Sequence, residues 1–256
     1  MSGPWISAVI PAYDEESGIA AAVAALAAWL DAQGRPYEVI VIDNASEDGT
    51  VEALSPLVDG SRVKLLQNDE NRGKGYSVRR GMLAATGELR LHCDADCVPC
   101  LPSLPRMLEL IGEADLVAGS RLAAGAQVGR RQPLRRRIVG RSFVELCRLL
   151  LREPTHDLFC GFKLWRGAAA EAVYSRTRLD GWTFDAEALA MAHALGYRVV
   201  ETGIVWNERE GSRLSMARVL LPVVRELLKA RRHVRNEAER QRRRAPLVPE
   251  PVDPRP

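Results

Sequence analysis

Apolar residues in the first half of the chain fall in short β-rich runs that alternate with helical stretches. Trp5 to Ile10 is a β-rich run that Pro11 should stop. Ser17 to Gln33 reads as a long helix ended by Gly34. Tyr37 to Ile42 is almost continuously apolar, as a strand buried on both faces should be. Ser46 to Thr50 carries N-cap chemistry for another helix. Arg62 to Leu66 predicts a third strand, Gly75 to Ala85 a helix and Glu88 to Cys93 a fourth strand. This rhythm predicts an α/β fold, an open, mostly parallel sheet with helices on both faces.

The second half is less regular. Asp115 to Gly119 reads as a strand, Gly125 to Arg137 as a mobile Gly- and Arg-rich loop, and Ile138 to Leu151 as a helix. Phe162 to Trp165 reads as a short strand, Thr183 to Leu195 as a helix and Tyr197 to Trp206 as a β-rich run. From Met216, apolar residues at 216, 219, 220, 223, 224, 227, 228 and 234 keep helical spacing. Pro222 lies inside that run, so the helix either kinks there or begins there. The pattern divides the chain into a globular domain over 1–215, a basic amphipathic helix over 216–244 and a Pro-rich, disordered tail over 245–256.

Composition narrows the class. With 256 residues, 46% hydrophobic and 27% charged, the chain suits one soluble domain with an appendage. The longest apolar run, Ile19 to Leu30, is too short to span a bilayer, and the first residues lack the pattern of a signal peptide. Five cysteines, an odd number, argue against a disulfide framework and for a reducing compartment. The net charge of +3 conceals an asymmetry: Arg209 to Arg244 carries +8, leaving −5 on the rest. A basic arm on an acidic body points to an anionic partner, either a membrane or a nucleic acid.

Ligands of open α/β sheets bind at the carboxyl ends of strands. Here those ends read Pro11 to Glu16, Asp43 to Ser46 and Asp94-Ala95-Asp96. None carries the Gly-rich turn of a dinucleotide fold or a Walker loop, which argues against a Rossmann oxidoreductase or a P-loop NTPase. Asp94 and Asp96 would repel each other unless a cation offset them, and hard oxygen donors suit Mg²⁺ or Mn²⁺; the alternative is a turn with one capping and one solvated Asp. Asp43 could accept from a nucleobase N–H or simply close an Asx-turn. Asn71 to Gly75 is a turn before a helix N-terminus, either a phosphate site or a solvated loop. Cys93, Cys97 and Cys100 form part of a zinc pattern without an obvious fourth ligand.

Together these segments resemble the family-2 glycosyltransferases of the GT-A fold. Val9 to Glu16 is similar to that family's opening V-I-P-A-Y-N-E, Asp43 to Thr50 to its D-D-G-S-x-D-G-T, and Asn71 to Gly75 to its N-x-G-K-G. Asp94-Ala95-Asp96 matches its D-A-D and Gly119-Ser120-Arg121 its G-S-R. Asp157 to Leu164, Trp182 to Glu187 and Trp206 to Leu214 resemble the polyprenyl (dolichyl) phosphate hexosyltransferases, the glucosyl branch most of all. The likeness spans roughly residues 5 to 215. The chain departs from the pattern in three segments. Asn44-Ala45 replaces Asp-Gly, Cys97-Val98 follows the D-A-D where many relatives have a Gln, and Arg213 stands where Lys is usual.

The resemblance implies a GT-A-type nucleotide-sugar-binding fold and an inverting transferase that uses Mg²⁺ or Mn²⁺. It implies that Pro11, Tyr13, Glu15 and Asp43 hold base and ribose, that Lys74 and Ala95 belong to the donor site, and that Asp94 and Asp96 hold the metal. It assigns catalytic roles to Asp96, Arg121 and Asp157, and contact with an acceptor phosphate to Arg121, Arg137, Lys163 and Arg213. A hydroxyl acceptor needs a base to take its proton, for which Asp157 is the best candidate. A lipid monophosphate, with a second pKa of about 6, needs cations instead, and Asp157 would then orient one. The expected reaction is transfer of a hexose, glucose first, from a nucleoside-diphosphate sugar to polyprenyl phosphate. It would occur at the cytoplasmic membrane face, with the 216–244 helix on anionic lipid. The alternatives are a related enzyme acting on a hydroxyl of a polysaccharide, carotenoid or small molecule, a nucleotidyltransferase, and a nucleic-acid-binding module. A nucleotidyltransferase should carry a Gly-rich, Arg-containing loop after the first strand, which Pro11 to Glu15 is not, and a nucleic-acid-binding module leaves the acidic strand ends unexplained.

Overall fold

A computed structural model describes residues 3–96, 98–129, 134–206 and 216–244, apart from the side chains of 134–138, 216–222 and 244. The first half alternates as the pattern predicts: β1 (Ile6–Ala12), α1 (Ile19–Asp31), β2 (Tyr37–Asp43), α2 (Thr50–Leu54), β3 (Val63–Gln67), α3 (Lys74–Ala84) and β4 (Leu89–Cys93). Next come a 3₁₀ turn over Val98–Ser103, α4 (Leu104–Leu110), β5 (Leu116–Ser120), β6 (Gln127–Val128) and α5 (Leu134–Leu151). The chain continues through β7 (Phe162–Arg166), α6 (Gly167–Tyr174), α7 (Phe184–Ala194), β8 (Val199–Gly203), β9 (Val205–Trp206) and α8 (Met216–Arg244).

Seven strands form one sheet in the order β3-β2-β1-β4-β7-β5-β8, and β6 pairs with β9 beside it. Only β7 runs antiparallel to its neighbours, β4 and β5. The sheet is therefore open, mixed and mostly parallel. On one face Ile6, Ala8, Val39, Val41 and Leu91 pack against α1, α2, the 3₁₀ turn and α4. On the other, Val9, Ile40, Ile42, Leu116 and Trp165 pack against α3, α5, α6, α7 and α8. Every residue of β2 is buried, as its unbroken apolar run requires.

Three elements differ from the sequence reading. Pro11 does not stop β1: the strand continues to Ala12, with Pro11 beside Ile42 of β2. Pairing with β4 ends at Val9, so the ladder on that side makes no demand on the missing N–H of Pro11. Part of the stretch read as a mobile loop is regular: Gln127–Val128 is a strand, and α5 already begins at Leu134. Finally, α8 starts at Met216, ahead of Pro222. From Val223 its apolar stripe is core: Val223, Leu227, Ala230 and Val234 are buried with α5 and α7. Those four side chains are unavailable to a bilayer, whereas Leu228 of the same stripe is exposed. The tail over 245–256 lies outside the described residues.

The end of the sheet remote from the strand carboxyl termini is closed by a buried carboxylate. Glu38 of β2 accepts hydrogen bonds from Ser7 Oγ at 2.6 Å, from Thr86 N and Oγ1 at 2.9 Å each, and from Lys64 Nζ at 2.7 Å. Burial opposes its charge, but these donors prevail and lower its pKa from 4.5 to about 2. Its folded pKa is below its unfolded one, so its stabilisation is complete above pH 4.5 and is lost as pH falls through about 2. Glu38→Gln puts an amide against Lys64 and should cost about 2 kcal/mol at neutral pH. Urea unfolding at several pH values should show the gap between wild type and variant narrowing below 4.5.

Candidate active site

Strand order reverses at β1: β2 and β3 lie to one side, β4 and later strands to the other. Such a reversal opens a crevice at the carboxyl ends of the strands. The residues expected to bind the donor line up there, because Ala12 of β1 is in register with Asp43 of β2, and β4 ends in Asp94 on the other side of β1. Pro11 and Glu15 are half-buried, and Tyr13 is 42% exposed.

The loops after β1 and β2 are laced together. Asp14 N donates to Ser46 Oγ at 3.0 Å, Glu15 N to Thr50 Oγ1 at 2.8 Å and Glu16 N to Asp48 Oδ2 at 3.1 Å. In return Glu47 N donates to Asp14 Oδ1 and Gly49 N to Glu16 Oε2, each at 2.9 Å. Ser46, Asp48 and Thr50, read as helix-capping residues, thus also hold the donor loop. Asp43 is buried, and its Oδ1 accepts from Ser46 N at 3.2 Å and Ser46 Oγ at 2.5 Å, the Asx-turn reading of that residue.

The two departures in this segment have a structural account. Asn44 Nδ2 donates to Asn71 Oδ1 at 2.7 Å, while Asn44 Oδ1 accepts from Asn68 Nδ2 at 2.8 Å and Arg72 N at 3.1 Å. An aspartate could accept but not donate, so it could not make the bond to Asn71. Ala45 sits at φ 59°, a left-handed conformation that suits the Gly of the resembled pattern better than an alanine.

Asn44 thereby pins the Asn71-to-Gly75 turn, but that turn is not an open phosphate cradle. Gly75 N and Tyr76 N, the amides at the start of α3, donate to Asp180 O at 2.7 and 3.2 Å. A Cβ at Gly73 would strike Asp180 O, and one at Gly75 would strike Leu179 O and Phe184. The glycines admit the 179–181 segment. What the turn delivers is Lys74, whose Nζ lies 2.5 Å from Asp94 Oδ2, with the Trp182 and Phe184 rings 5.3 and 5.9 Å away.

Asp94 is held on every side. Its N–H donates to Gly161 O at 2.8 Å, and His92 Nε2 lies 3.0 Å from its Oδ1. Burial opposes its charge, but the Lys74 ammonium and the His92 hydrogen bond outweigh this and hold it well below the usual carboxylate range. Ala95 is buried and Asp96 half-buried. Two carboxylates, one already facing an ammonium, fit a hard divalent ion that completes its shell with diphosphate oxygens and water. Among the described residues no three His, Cys, Asp or Glu form a self-contained metal site. Cys93 and Cys100 are buried thiols, burial pushes Cys93 up, and Cys97 lies outside the described residues, so the zinc pattern gains no support.

On the other side of the crevice, Arg121 follows β5. Its Nε donates to Asp157 Oδ2 and its terminal nitrogen to Asp157 Oδ1, both at 2.8 Å, and its backbone N–H reaches Oδ2 at 2.9 Å. Burial opposes the Asp157 charge, but Arg121 prevails and holds the carboxyl below its ordinary pKa. Asp157 is 3% exposed, whereas the Arg121 side chain is 34% exposed. Glu201 of β8 fixes this loop by accepting from His156 N at 3.0 Å and Asp157 N at 3.1 Å. The Arg121 guanidinium also lies 5.5 Å from the Trp206 ring.

Lys163 corrects the sequence reading. It is wholly buried, and its ammonium donates to Leu158 O at 3.2 Å, Cys160 O at 2.6 Å and Asp185 Oδ1 at 2.7 Å. With three donors spent and no exposure, it cannot meet an acceptor phosphate. The side chain of Arg137, in α5, and all of Arg213 lie outside what the structure describes.

His92, Gly161, Asp185 and Glu201 escaped the sequence reading. Gly161 had a usable signal, since it falls within a matched motif. A Cβ there would collide with the Asp94 carboxylate. Gly161→Ala should therefore leave the fold intact while displacing Asp94. We expect kcat/KM for sugar transfer to fall about 100-fold, the scale for a misplacement near 1 Å, with thermal unfolding little changed.

Residues 7–173 match the family described as Glycosyl transferase family 2. The dolichyl-phosphate beta-glucosyltransferase of Dictyostelium discoideum is 27% identical over 242 residues, covering 89% of this chain and 74% of the relative. Its Drosophila melanogaster namesake is 30% identical, covering 82% and 69%. Glycosyltransferase AglD of Haloferax volcanii is 29% identical over 89% of this chain, which spans only 37% of AglD. Among solved structures, glucosyl-3-phosphoglycerate synthase from Mycobacterium tuberculosis, in complex with Mn²⁺, UDP and its product, superposes with a TM-score of 0.65. It is 20% identical, with 90% of this chain and 80% of that one covered, a likeness of fold. The chain belongs to glycosyl transferase family 2.

Proposed function

We propose that this family 2 glycosyltransferase moves glucose, with inversion, from a nucleoside-diphosphate sugar to a polyprenyl phosphate. The observation that carries this reading is the Arg121–Asp157 pair. A hydroxyl acceptor requires a base, and the carboxylate best suited to that role is buried, doubly bonded to Arg121 and held at low proton affinity. A phosphate acceptor needs no base, only a cation held in place, and Arg121 is such a cation. The names of the Dictyostelium and Drosophila relatives point the same way.

In this reading the laced loops after β1 and β2 seat the nucleoside on Pro11, Tyr13, Glu15 and Asp43. Asp94 and Asp96 would hold Mg²⁺ or Mn²⁺ with the diphosphate; the metal supplies Lewis-acid neutralisation of charge on the leaving nucleoside diphosphate. Lys74 pairs with Asp94 and so would lie beside that charge. Arg121 orients the acceptor phosphate for in-line attack at the anomeric carbon.

A panel of UDP-glucose, GDP-mannose and UDP-N-acetylglucosamine tests the reading when crossed with short polyprenyl phosphate, the free polyprenol and phosphoglyceric acid. Glucose should appear on the lipid phosphate and on neither other acceptor. Asp157→Asn should raise KM for the lipid phosphate more than it lowers kcat, without recovery at higher pH. A loss in kcat restored by raising pH would instead mark a general base and favour a hydroxyl acceptor.

We also propose that the enzyme works as a peripheral protein at the cytoplasmic membrane face. No helix among the described residues is long and apolar enough to cross a membrane. With Val223, Leu227, Ala230 and Val234 buried, contact would fall to the outward face of α8, where Arg225, Leu228, Lys229, Arg232 and Arg235 are exposed. Each basic side chain near an anionic surface gains about 1 kcal/mol. Changing these four basic residues to Ser should abolish flotation with phosphatidylserine vesicles at low salt while sparing turnover of a short, soluble acceptor.

A further inference from the structure

We infer that His92 is a positioning residue that divides the work of the Asp94 carboxylate, fixing one oxygen so that the other faces the cation. The inference rests on the reading of Asp94 as a metal ligand. His92 lies on β4, near the middle of the sheet, and its side chain is wholly buried. An imidazole there has no solvation to gain, and among the described residues Asp94 is the hydrogen-bond partner of its Nε2. A carboxylate accepts and cannot donate, so the proton of that bond sits on Nε2. Asp94 Oδ1 is thereby occupied, and Oδ2 is left to the Lys74 ammonium.

The ring cannot swing away. Lys163 lies directly opposite His92 in the β4–β7 register. The Phe184 ring packs at a centroid distance of 5.7 Å, tilted by 57°. Asp185 Oδ1, held by Lys163, stands 3.8 Å from Nδ1, which has no hydrogen-bond partner of its own. The antiparallel strand and the start of α7 thus box the imidazole behind the catalytic crevice. Buried Lys163, lost to the acceptor, finds its purpose here. Partners of this kind, which orient a metal ligand from behind, typically change metal affinity about 10- to 100-fold.

The test measures Mn²⁺ binding by electron paramagnetic resonance on the full chain with saturating UDP, independently of turnover. His92→Gln keeps an N–H at similar reach, and His92→Met has comparable length but no donor. The Mn²⁺ Kd should rise about 10- to 100-fold in His92→Met and stay within about threefold in His92→Gln, with circular dichroism unchanged. If His92→Met does not fold, His92→Asn, whose amide is too short to reach Asp94, takes its place with the same expected loss. Equal Mn²⁺ affinity in wild type and the donorless variant overturns the inference, even if the variant melts at lower temperature. Wild type that binds no more Mn²⁺ than Asp94→Asn/Asp96→Asn overturns the metal reading itself, which is a different result.

Discussion

Carboxylates buried at the end of a hydrophobic sheet cannot stay ionised alone. The cost of removing such a charge from water is several kcal/mol even after relaxation. Asp94 is half-buried and Asp185 buried, and the surrounding structure pairs both. Lys74 reaches Asp94 from the start of α3, and Lys163 reaches Asp185 from β7, with the His92 imidazole between the two aspartates. Each cation comes from a different element, so the ion pairs also dictate how α3, β4, β7 and α7 meet. The pairing that keeps Asp94 an anion, on which its proposed metal role depends, thus links four elements.

That arrangement joins the donor and acceptor halves of the site at one residue. Gly161 accepts the Asp94 N–H through its carbonyl and, lacking a Cβ, lets the Asp94 carboxylate lie against it. Four residues earlier in the same segment, Asp157 grips Arg121. The loop that fixes Arg121, the proposed acceptor cation, therefore also bounds Asp94, the proposed metal ligand. The 179–181 segment does the same for the proposed donor side, since the Asp180 carbonyl caps α3 and so locates Lys74.

What the sequence made legible follows from locality. The alternating first half, the continuous apolar β2 and the acidic strand ends are short-range signals, and the sheet places Asp43 and Asp94 where those signals put them. Long-range pairing was not legible. Nothing local shows that pairing along one edge of β1 ends at Val9, which is why Pro11 could sit inside the strand. Nothing local shows that Asp180 would take the amides of Gly75 and Tyr76, or that Lys163 would face Asp185 rather than solvent. A lysine in a matched motif looks like a ligand for phosphate until its depth is known. The α8 stripe posed the same ambiguity, since an apolar helix face fits a bilayer and a core equally well.

The asymmetry between the two sides of the crevice carries the chemical logic. On the proposed donor side the strand ends carry Asp43, Asp94 and Asp96, with the Lys74 ammonium against Asp94, and the proposal gives that side a substrate that arrives with its own cation. On the acceptor side, the exposed charge is positive, Arg121, and its partner carboxylate is turned inward. An enzyme that had to deprotonate a hydroxyl would need the reverse, a carboxylate at the surface with appreciable proton affinity. Asp157 has neither, because the interactions that hold Arg121, the proposed phosphate clamp, are the ones that strip Asp157 of basicity. Positioning the cation and disabling the base are a single structural act, and it suits an acceptor that is already an anion.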